Sequence, residues 1–414
     1  MKVLLFASVA EGHQLILHAR TILHECHRRG WTTHLVVPEA VTQHKTWPVL
    51  QAEFGDKLTF SLMPNPHPEV KKWPFLNEFR RILVPDFAHR KAYLTGLAES
   101  RKVFTPDAIY MVNFESLERS VAILGFDAGG TPLTGMLMGR SFHYAPMGIP
   151  VPMGKFESIF SPKFFRRFLR RKELTKLAII DPLLEEYIQK EKLPGGEKVT
   201  FVPDIGKLMV VPREQSLHAE LGIASDEFVL LSFGWLHPRK GIAEILAAMD
   251  HAEWPEKARV LMVGSARPEA KVLLESDSAK RHMASGRLIV KEGFADDLIE
   301  GRAFATADAI WLGYKGHWTM SGVLVQACIA GKPVVAMNQG LIGWYTRRYN
   351  IGVEVDIDSP ASIGEGIRKL MDSPELVRSC AESASAIAQL HEPGSFERNI
   401  CNLIETAVSK NTRA

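Results

Sequence analysis

The chain reads as an α/β protein of two tandem halves, each a parallel sheet with helices on both faces. Three observations lead there. It has 414 residues, more than one hydrophobic core usually serves, which points to two domains of about 200 residues. Short apolar runs alternate along it with segments of about 10–15 residues in which apolar positions recur at helical spacing, the alternation that parallel sheets require. Its composition, 46% hydrophobic and 23% charged, is that of a soluble globular protein, and no apolar stretch approaches the ~20 residues of a membrane span.

In the first half, Val3 to Ala7 is a buried strand. Gln14 to Arg29 is a helix with Leu15, Ala19, Ile22, Leu23 and Cys26 inward and Gly30 closing it. Thr33 to Val37 is the second strand, ended by Pro38, and Leu58 to Met63, Ala108 to Val112 and Pro132 to Leu137 are further strands. Residues 64–105 and 140–175 are less regular and rich in proline, aromatics and arginine, as rim insertions are. Val202 to Gly206 reads as the connection between domains.

The second half is more regular. Strands are expected at Phe228 to Phe233, Arg259 to Val263, Leu288 to Val290, Ala309 to Leu312 and Pro333 to Ala336. Helices start at Gly241, Glu269 and Val323, and later ones cover Pro360 to Met371, Pro374 to about Leu390, and Glu397 to Val408. The expected division is therefore 1–205, 206–385, and a terminal helical segment, 386–414, that crosses back to the first domain. The halves are Rossmann-like.

The opening MKVLLFASVAEG has the lysine, apolar run and small-residue triplet of a secretory leader. The strand reading is preferred, because a helix pattern and a second strand follow at once. Cys26, Cys328, Cys380 and Cys401 lie far apart, with no Cys-x-x-Cys pair. Neither a zinc site nor a disulfide framework is expected, and a cytoplasmic, reducing location is. Formal net charge is +3, but residues 1–205 hold 27 basic and 21 acidic side chains, and the rest 23 and 26. The first half should favour anionic partners.

In open parallel sheets, ligands bind at the carboxyl ends of strands, near helix N-termini. Three loops there stand out. In FGWLHPRKG, Phe233 to Gly241, Gly234 lets the chain turn close to a ligand, and Arg239 and Lys240 stand at a helix start suited to a diphosphate. A solvated basic helix start would look the same in isolation. In GYKGHWTMSGVLVQACIAGKPVVA, Gly313 to Ala336, Ser321 can cap a helix whose free amides, in the run Thr319, Met320, Ser321, Gly322 and Val323, face a phosphate. Gln326 lies one turn on and can reach a ribose hydroxyl. Gly293 and Phe294, just past the Leu288 to Val290 strand, join these donor-side candidates. In the third loop, Gly12 admits a ligand to the backbone, and Glu11 and His13 are the nearest groups able to move protons. A lone histidine at a helix start is more often a cap.

These loops resemble the nucleotide-sugar glycosyltransferases of family 4, best over residues 200–375. The family's signature, a glycine with Lys-Gly six residues on, is similar to Gly234…Lys240-Gly241, and ACIAGKPVV, Ala327 to Val335, is similar to its Gly-Lys-Pro-Val-Val run. The resemblance implies the GT-B architecture: two Rossmann-like domains with parallel sheets facing across a cleft, donor bound mainly by the second. It further implies transfer of a sugar from a nucleotide-diphosphate sugar to an acceptor hydroxyl, retaining and metal-independent, with no cofactor, in glycan, glycolipid or natural-product glycoside synthesis. Departures stand out. Trp235 replaces the arginine after the signature glycine, and the usual glutamates eight apart fall on Trp318 and Gln326, with His317 beside the first. His317 thus joins Glu11 and His13 as a catalytic candidate, and His143 is placed on the acceptor side. A nucleotide-sugar epimerase or a non-catalytic binding protein of the same fold is the alternative.

KFFRRFLRRKELTK, Lys163 to Lys176, has seven basic residues and one acidic. Phe164, Phe165, Phe168 and Leu169 share one helical face and Arg166, Arg167, Arg170 and Arg171 another. Such a helix suits an anionic membrane surface on the inner face, with a lipid-linked acceptor, or else packs its phenylalanines on the domain. His13, His18, His24 and His27 share a helix with Cys26, but their spacings match no metal-ligand set, and a solvated face is expected. Asp356-Ile357-Asp358 spells a metal-site motif in the wrong architecture and is read as a turn. Nothing points to nucleic acid.

Overall fold

A computed structural model of the chain describes residues 1–9, 14–66 and 78–411. The first seven strands are β1 (Lys2–Phe6), β2 (Thr32–Pro38), β3 (Thr59–Met63), β4 (Ala108–Met111), β5 (Leu133–Leu137), β6 (Leu174–Ile179) and β7 (Val199–Phe201). They form one parallel sheet in the order β3-β2-β1-β4-β5-β6-β7. Val3, Leu4, Leu5 and Phe6 are all fully buried, which is why β1 reads as an unbroken apolar run rather than an alternating one.

Six more strands, β8 (Phe228–Phe233), β9 (Ala258–Gly264), β10 (Leu288–Glu292), β11 (Ala309–Leu312), β12 (Val334–Met337) and β13 (Gly352–Val355), form a second parallel sheet. Its order is β10-β9-β8-β11-β12-β13. In both sheets the winding reverses once, between β1 and β4 and between β8 and β11. Those switch points are where doubly wound sheets take ligands.

The chain divides into two compact units. The first holds residues 1–148, 152–205 and the chain from 394 onward; the second holds Ile149–Val151 and Gly206–Pro393. The last helix, Ser395–Asn411, packs on the helix Arg20–Arg28 and on β6. Ile400, Cys401 and Ile404 are fully buried there, and Cys401 Sγ lies 3.7 Å from Cys26 Sγ.

Several elements differ from the sequence reading. Gln14–Ala19 is a π-helical turn before the α-helix Arg20–Arg28, and Thr21 Oγ1, in the α-helix, donates back to Leu17 O in that turn at 2.9 Å. Residues expected to be irregular include the 23-residue helix Glu78–Ser100, which carries Pro85 inside it. The basic helix is Ser161–Leu169, shorter than the expected 163–176, and Leu174 already belongs to β6, whose pairing with β5 overrides helical spacing. Phe165, Phe168 and Leu169 are fully buried, so its apolar face is core, and it cannot insert into a membrane by that face. Among the described residues no helix is long and apolar enough to cross a membrane. The histidines expected on a solvated face divide: His24 is exposed, while His18 is buried with Nε2 2.9 Å from Asp204 Oδ1. Asp356 Oδ1 accepts from Asp358 N at 3.1 Å, a local turn, and Ser359 caps the helix after it.

Candidate active site

The second switch point is built by close backbone contacts. Past Phe233, Gly234 takes φ +98°, and a Cβ on Gly264 at the end of β9 would lie 1.9 Å from Gly234 O. The chain then makes a short turn, Pro238–Lys240, capped by His237 Nδ1, which accepts from Arg239 N at 3.0 Å. Gly241 follows at φ +72°; a Cβ there would lie 2.2 Å from Gly313 O. Glycine is required at both places, because β9 and the β11 exit press against this loop.

The loops after β8 and β11 are stitched together. Lys315 N donates to Arg239 O at 2.8 Å, and Trp311 Nε1 to Lys240 O at 2.7 Å. The Lys240 side chain is buried. Its Nζ donates to Phe233 O at 2.9 Å and to Tyr314 Oη at 2.8 Å, and sits 4.5 Å from the centre of the Tyr314 ring. An ammonium has three protons; these contacts occupy two.

Arg239 is exposed, and its Nη1 donates to His317 Nδ1 at 3.4 Å. His317 Nε2 lies 3.0 Å from Met320 O; donating there, the ring is neutral. Burial first, then the positive charges of Arg239 and Lys240, push its pKa down to about 4. His317 therefore ties the Arg239 cation to the turn before Ser321 rather than adding a charge. Ser321 is buried and extended, and makes no side-chain cap to the helix Gly322–Ile329. The first amides of that helix, at Gly322 and Val323, have no intrahelical acceptor and attract anions. Lys240, Arg239, His317, Met320 and Ser321 form one connected group. Thr319 is part of the same turn.

Gln326 is placed differently from expectation. Its Nε2 donates to Glu300 Oε1 at 2.7 Å and to Lys207 O at 3.1 Å, so both amide protons go to protein groups. Burial raises the Glu300 pKa, against the Gln326 hydrogen bond, which lowers it. Gly293 and Phe294 follow β10, two strands away from β8 on the same sheet edge, and Phe294 is 87% exposed. Three residues escaped the sequence reading. Tyr314 had a signal, being the second residue past a predicted strand. Glu300 had none, lying 26 positions from Gln326. Arg267, after β9, stacks 3.8 Å over the ring of Trp235, which puts a guanidinium beside the residue that departs from the family signature.

In the first unit, Glu11, Gly12 and His13 lie outside the described residues. His143, expected to face an acceptor, is fully buried. Its Nε2 is 2.9 Å from Asp181 Oδ2, which also accepts from Tyr144 Oη at 2.7 Å, while Asp181 Oδ1 caps the next helix through Leu183 N at 2.9 Å. His143 Nδ1, also buried, has no hydrogen-bond partner among the described residues. Beyond β4 and β5 lies a second network. Arg140 Nη2 pairs with Glu118 and donates to Glu115 O at 2.9 Å. Glu115 Oε1 accepts from Met138 N and Gly139 N. Arg119 Nη1 is 3.5 Å from Asp86 Oδ2 and its Nη2 3.8 Å from Glu157 Oε2. Burial holds the Asp86 carboxyl up at about 7, against the pull of Arg119 and Arg140. Among the described residues no group of three His, Cys, Asp or Glu side chains converges as a metal ion needs.

Residues 213–386 match the family Glycosyl transferases group 1. No curated protein matches the sequence significantly. Among solved structures, the chain is similar to HepE of Anabaena in complex with UDP and glucose, at 15% identity and a TM-score of 0.64, covering 98% of this chain and 100% of that one. It is also similar to sucrose-phosphate synthase from Thermosynechococcus elongatus (14% identity, TM-score 0.63, 99% of each chain covered). A third similar structure is WaaG, a glycosyltransferase involved in lipopolysaccharide biosynthesis (16% identity, TM-score 0.59, 98% and 99% covered). At such identities the likeness speaks for the fold, and the family match speaks for the domain that carries the loops described above. The chain has the GT-B fold, and the part of its second unit from 213 to 386 is similar to the family Glycosyl transferases group 1.

Proposed function

We propose that this chain moves a sugar from a nucleoside-diphosphate sugar to an acceptor hydroxyl, with the diphosphate held at the β8/β11 edge. The observation that carries the reading is that Lys240 and Arg239, on the loop after β8, are bonded to Tyr314 and His317 on the loop after β11, the loop that leads into the N-terminus of the helix Gly322–Ile329. In the reaction the bond between the sugar's anomeric carbon and the β-phosphate oxygen breaks. Negative charge grows on the diphosphate, where two cations and a helix N-terminus oppose it. These groups supply the charge neutralisation for which other transferases use a metal. In a retaining course the acceptor oxygen enters on the face the diphosphate leaves, and its proton passes to the departing phosphate oxygen. The UDP and glucose named for the HepE structure support a nucleotide-sugar donor of this kind.

Lys240→Ala tests the reading. Sugar transfer and release of nucleoside diphosphate from a panel of UDP-, GDP- and ADP-sugars should fall about 10²–10³-fold, the loss typical of a removed transition-state donor. Unchanged turnover would rule out the assigned role.

We further read the acceptor as membrane-borne. The solvent side of the helix Ser161–Leu169 supports this: Lys163, Arg166 and Arg167 are exposed, as are Arg170 just beyond it and the apolar Ile159 and Phe160 before it. Cations around exposed apolar side chains suit an anionic bilayer surface. Arg166→Glu with Arg167→Glu should abolish sedimentation with phosphatidylglycerol vesicles. Equal binding to neutral phosphatidylcholine vesicles would overturn the reading.

A further inference from the structure

The Lys240 ammonium is 9% exposed as part of its residue, and a cation so far out of water needs partners before any ligand arrives. One is the carbonyl of Phe233, at the end of its own strand. The other belongs to Tyr314, 74 positions on, which offers both its hydroxyl and the face of its ring. Tyr314 is 3% exposed. Its position is set by the way the chain leaves β11. Tyr314 N donates to Leu312 O at 3.0 Å, and Gly313 allows that fold, since a Cβ there would lie 2.0 Å from the Trp311 ring. Trp311, in the strand, holds the main chain of Lys240 through its indole. The exit of β11 thus holds Lys240 at both ends, backbone and ammonium.

We propose that Tyr314 is the positioning residue for the donor diphosphate, acting through Lys240; this rests on the donor reading given above. A free lysine has side-chain rotamer entropy to lose, and ordering it on binding would weaken the grip on phosphate. Tyr314 orders it beforehand. The hydroxyl takes one N–H, the ring face stabilises the charge, and the carbonyl takes a second N–H. One proton is left for a phosphate oxygen, at a place already fixed when negative charge develops. The two cations share one arrangement: Arg239 is held by the imidazole of His317, and Lys240 by the phenol of Tyr314. Neither steering group cancels the charge it directs.

The test is a double-mutant cycle read by titration calorimetry with whichever of UDP, GDP or ADP the wild type binds. Tyr314→Phe keeps the ring and removes the hydroxyl, and should raise Kd about 5–10-fold. Tyr314→Leu removes both and should raise it further. In a Lys240→Met background, Tyr314→Phe should leave Kd within about twofold, because the tyrosine acts only through the lysine. A merely structural tyrosine would weaken binding equally in both backgrounds, and that result overturns the assignment. So does wild-type affinity in Tyr314→Phe. Should the wild type bind none of the three nucleotides, the donor site itself falls, and this assignment with it.

Discussion

The two sheets share a winding, yet their carboxyl edges use charge in opposite ways. Beyond β4 and β5, Glu115, Glu118, Asp86, Arg119 and Arg140 pair with one another and with nearby backbone, although Glu115 Oε2, Arg119 Nε and Arg140 Nε are buried without a hydrogen bond. Beyond β8 and β11, Arg239 and Lys240 pair with no carboxylate among the described residues; they are held by a carbonyl, a phenol and a neutral imidazole. Topology therefore locates a possible site, and the pairing of charges decides whether it is open to a ligand. Charges paired with opposite charges of the same edge contribute shape to their domain. Cations positioned by neutral groups remain available to an anion from outside.

The sharpest way to break this contrast is to remove one cation from each edge and measure stability. Arg140→Met leaves Glu118, which is 1% exposed, without its ion partner, and breaking a buried pair costs about 3–5 kcal/mol. The denaturant midpoint at pH 7 should fall accordingly, and adding Glu118→Gln should recover much of it. A loss below about 1 kcal/mol would mean that the Arg140–Glu118 pair does not hold this edge together. Lys240→Met, by contrast, leaves no carboxylate behind. It gives up two hydrogen bonds and relieves a desolvated charge, so its midpoint should move by no more than about 1 kcal/mol in either direction. A large loss there would assign Lys240 to the fold rather than to a ligand.

Much of the second edge was legible in the sequence because its parts are local. A strand, a glycine and two cations fall within Phe228 to Gly241, and the apolar runs of β8, β9 and β11 are buried on both faces, so each reads as a strand unaided. What pairs across the sheet was not legible. Nothing in the spacing of Gln326 announces Glu300 as its partner, and nothing in the aromatic character of Tyr314 announces a contact with Lys240. The first unit was read less fully. Its long helix Glu78–Ser100 contains Pro85, which argues locally against a helix. Its β6 follows at once on the basic helix, and Phe168 and Leu169 give the apolar spacing of a helix right up to the strand. The sequence places His143 on the acceptor side, and only the positions of Asp181 and Tyr144 show it enclosed.

Asp86 offers a gentler test of the first edge. Its carboxyl is lifted from 3.8 to about 7, chiefly by burial, with Arg119 and Arg140 pulling the other way and Glu118 adding to the lift. A raised carboxyl pKa in the folded state means the folded chain holds this proton more tightly than the unfolded one. The favourable linkage is complete below about pH 4, where both states are protonated, and is lost as pH rises through about 7. Wild-type stability should accordingly decline across that window for this group's part. Asp86→Asn is uncharged at every pH and mimics the protonated form. The two proteins should unfold at similar denaturant concentrations near pH 4, with the variant the more stable by on the order of 2–4 kcal/mol at pH 8. If the asparagine variant is instead the weaker at pH 8, the ion pair with Arg119 outweighs burial. The first edge would then be a site that keeps charge on both signs at working pH, much closer in character to the second.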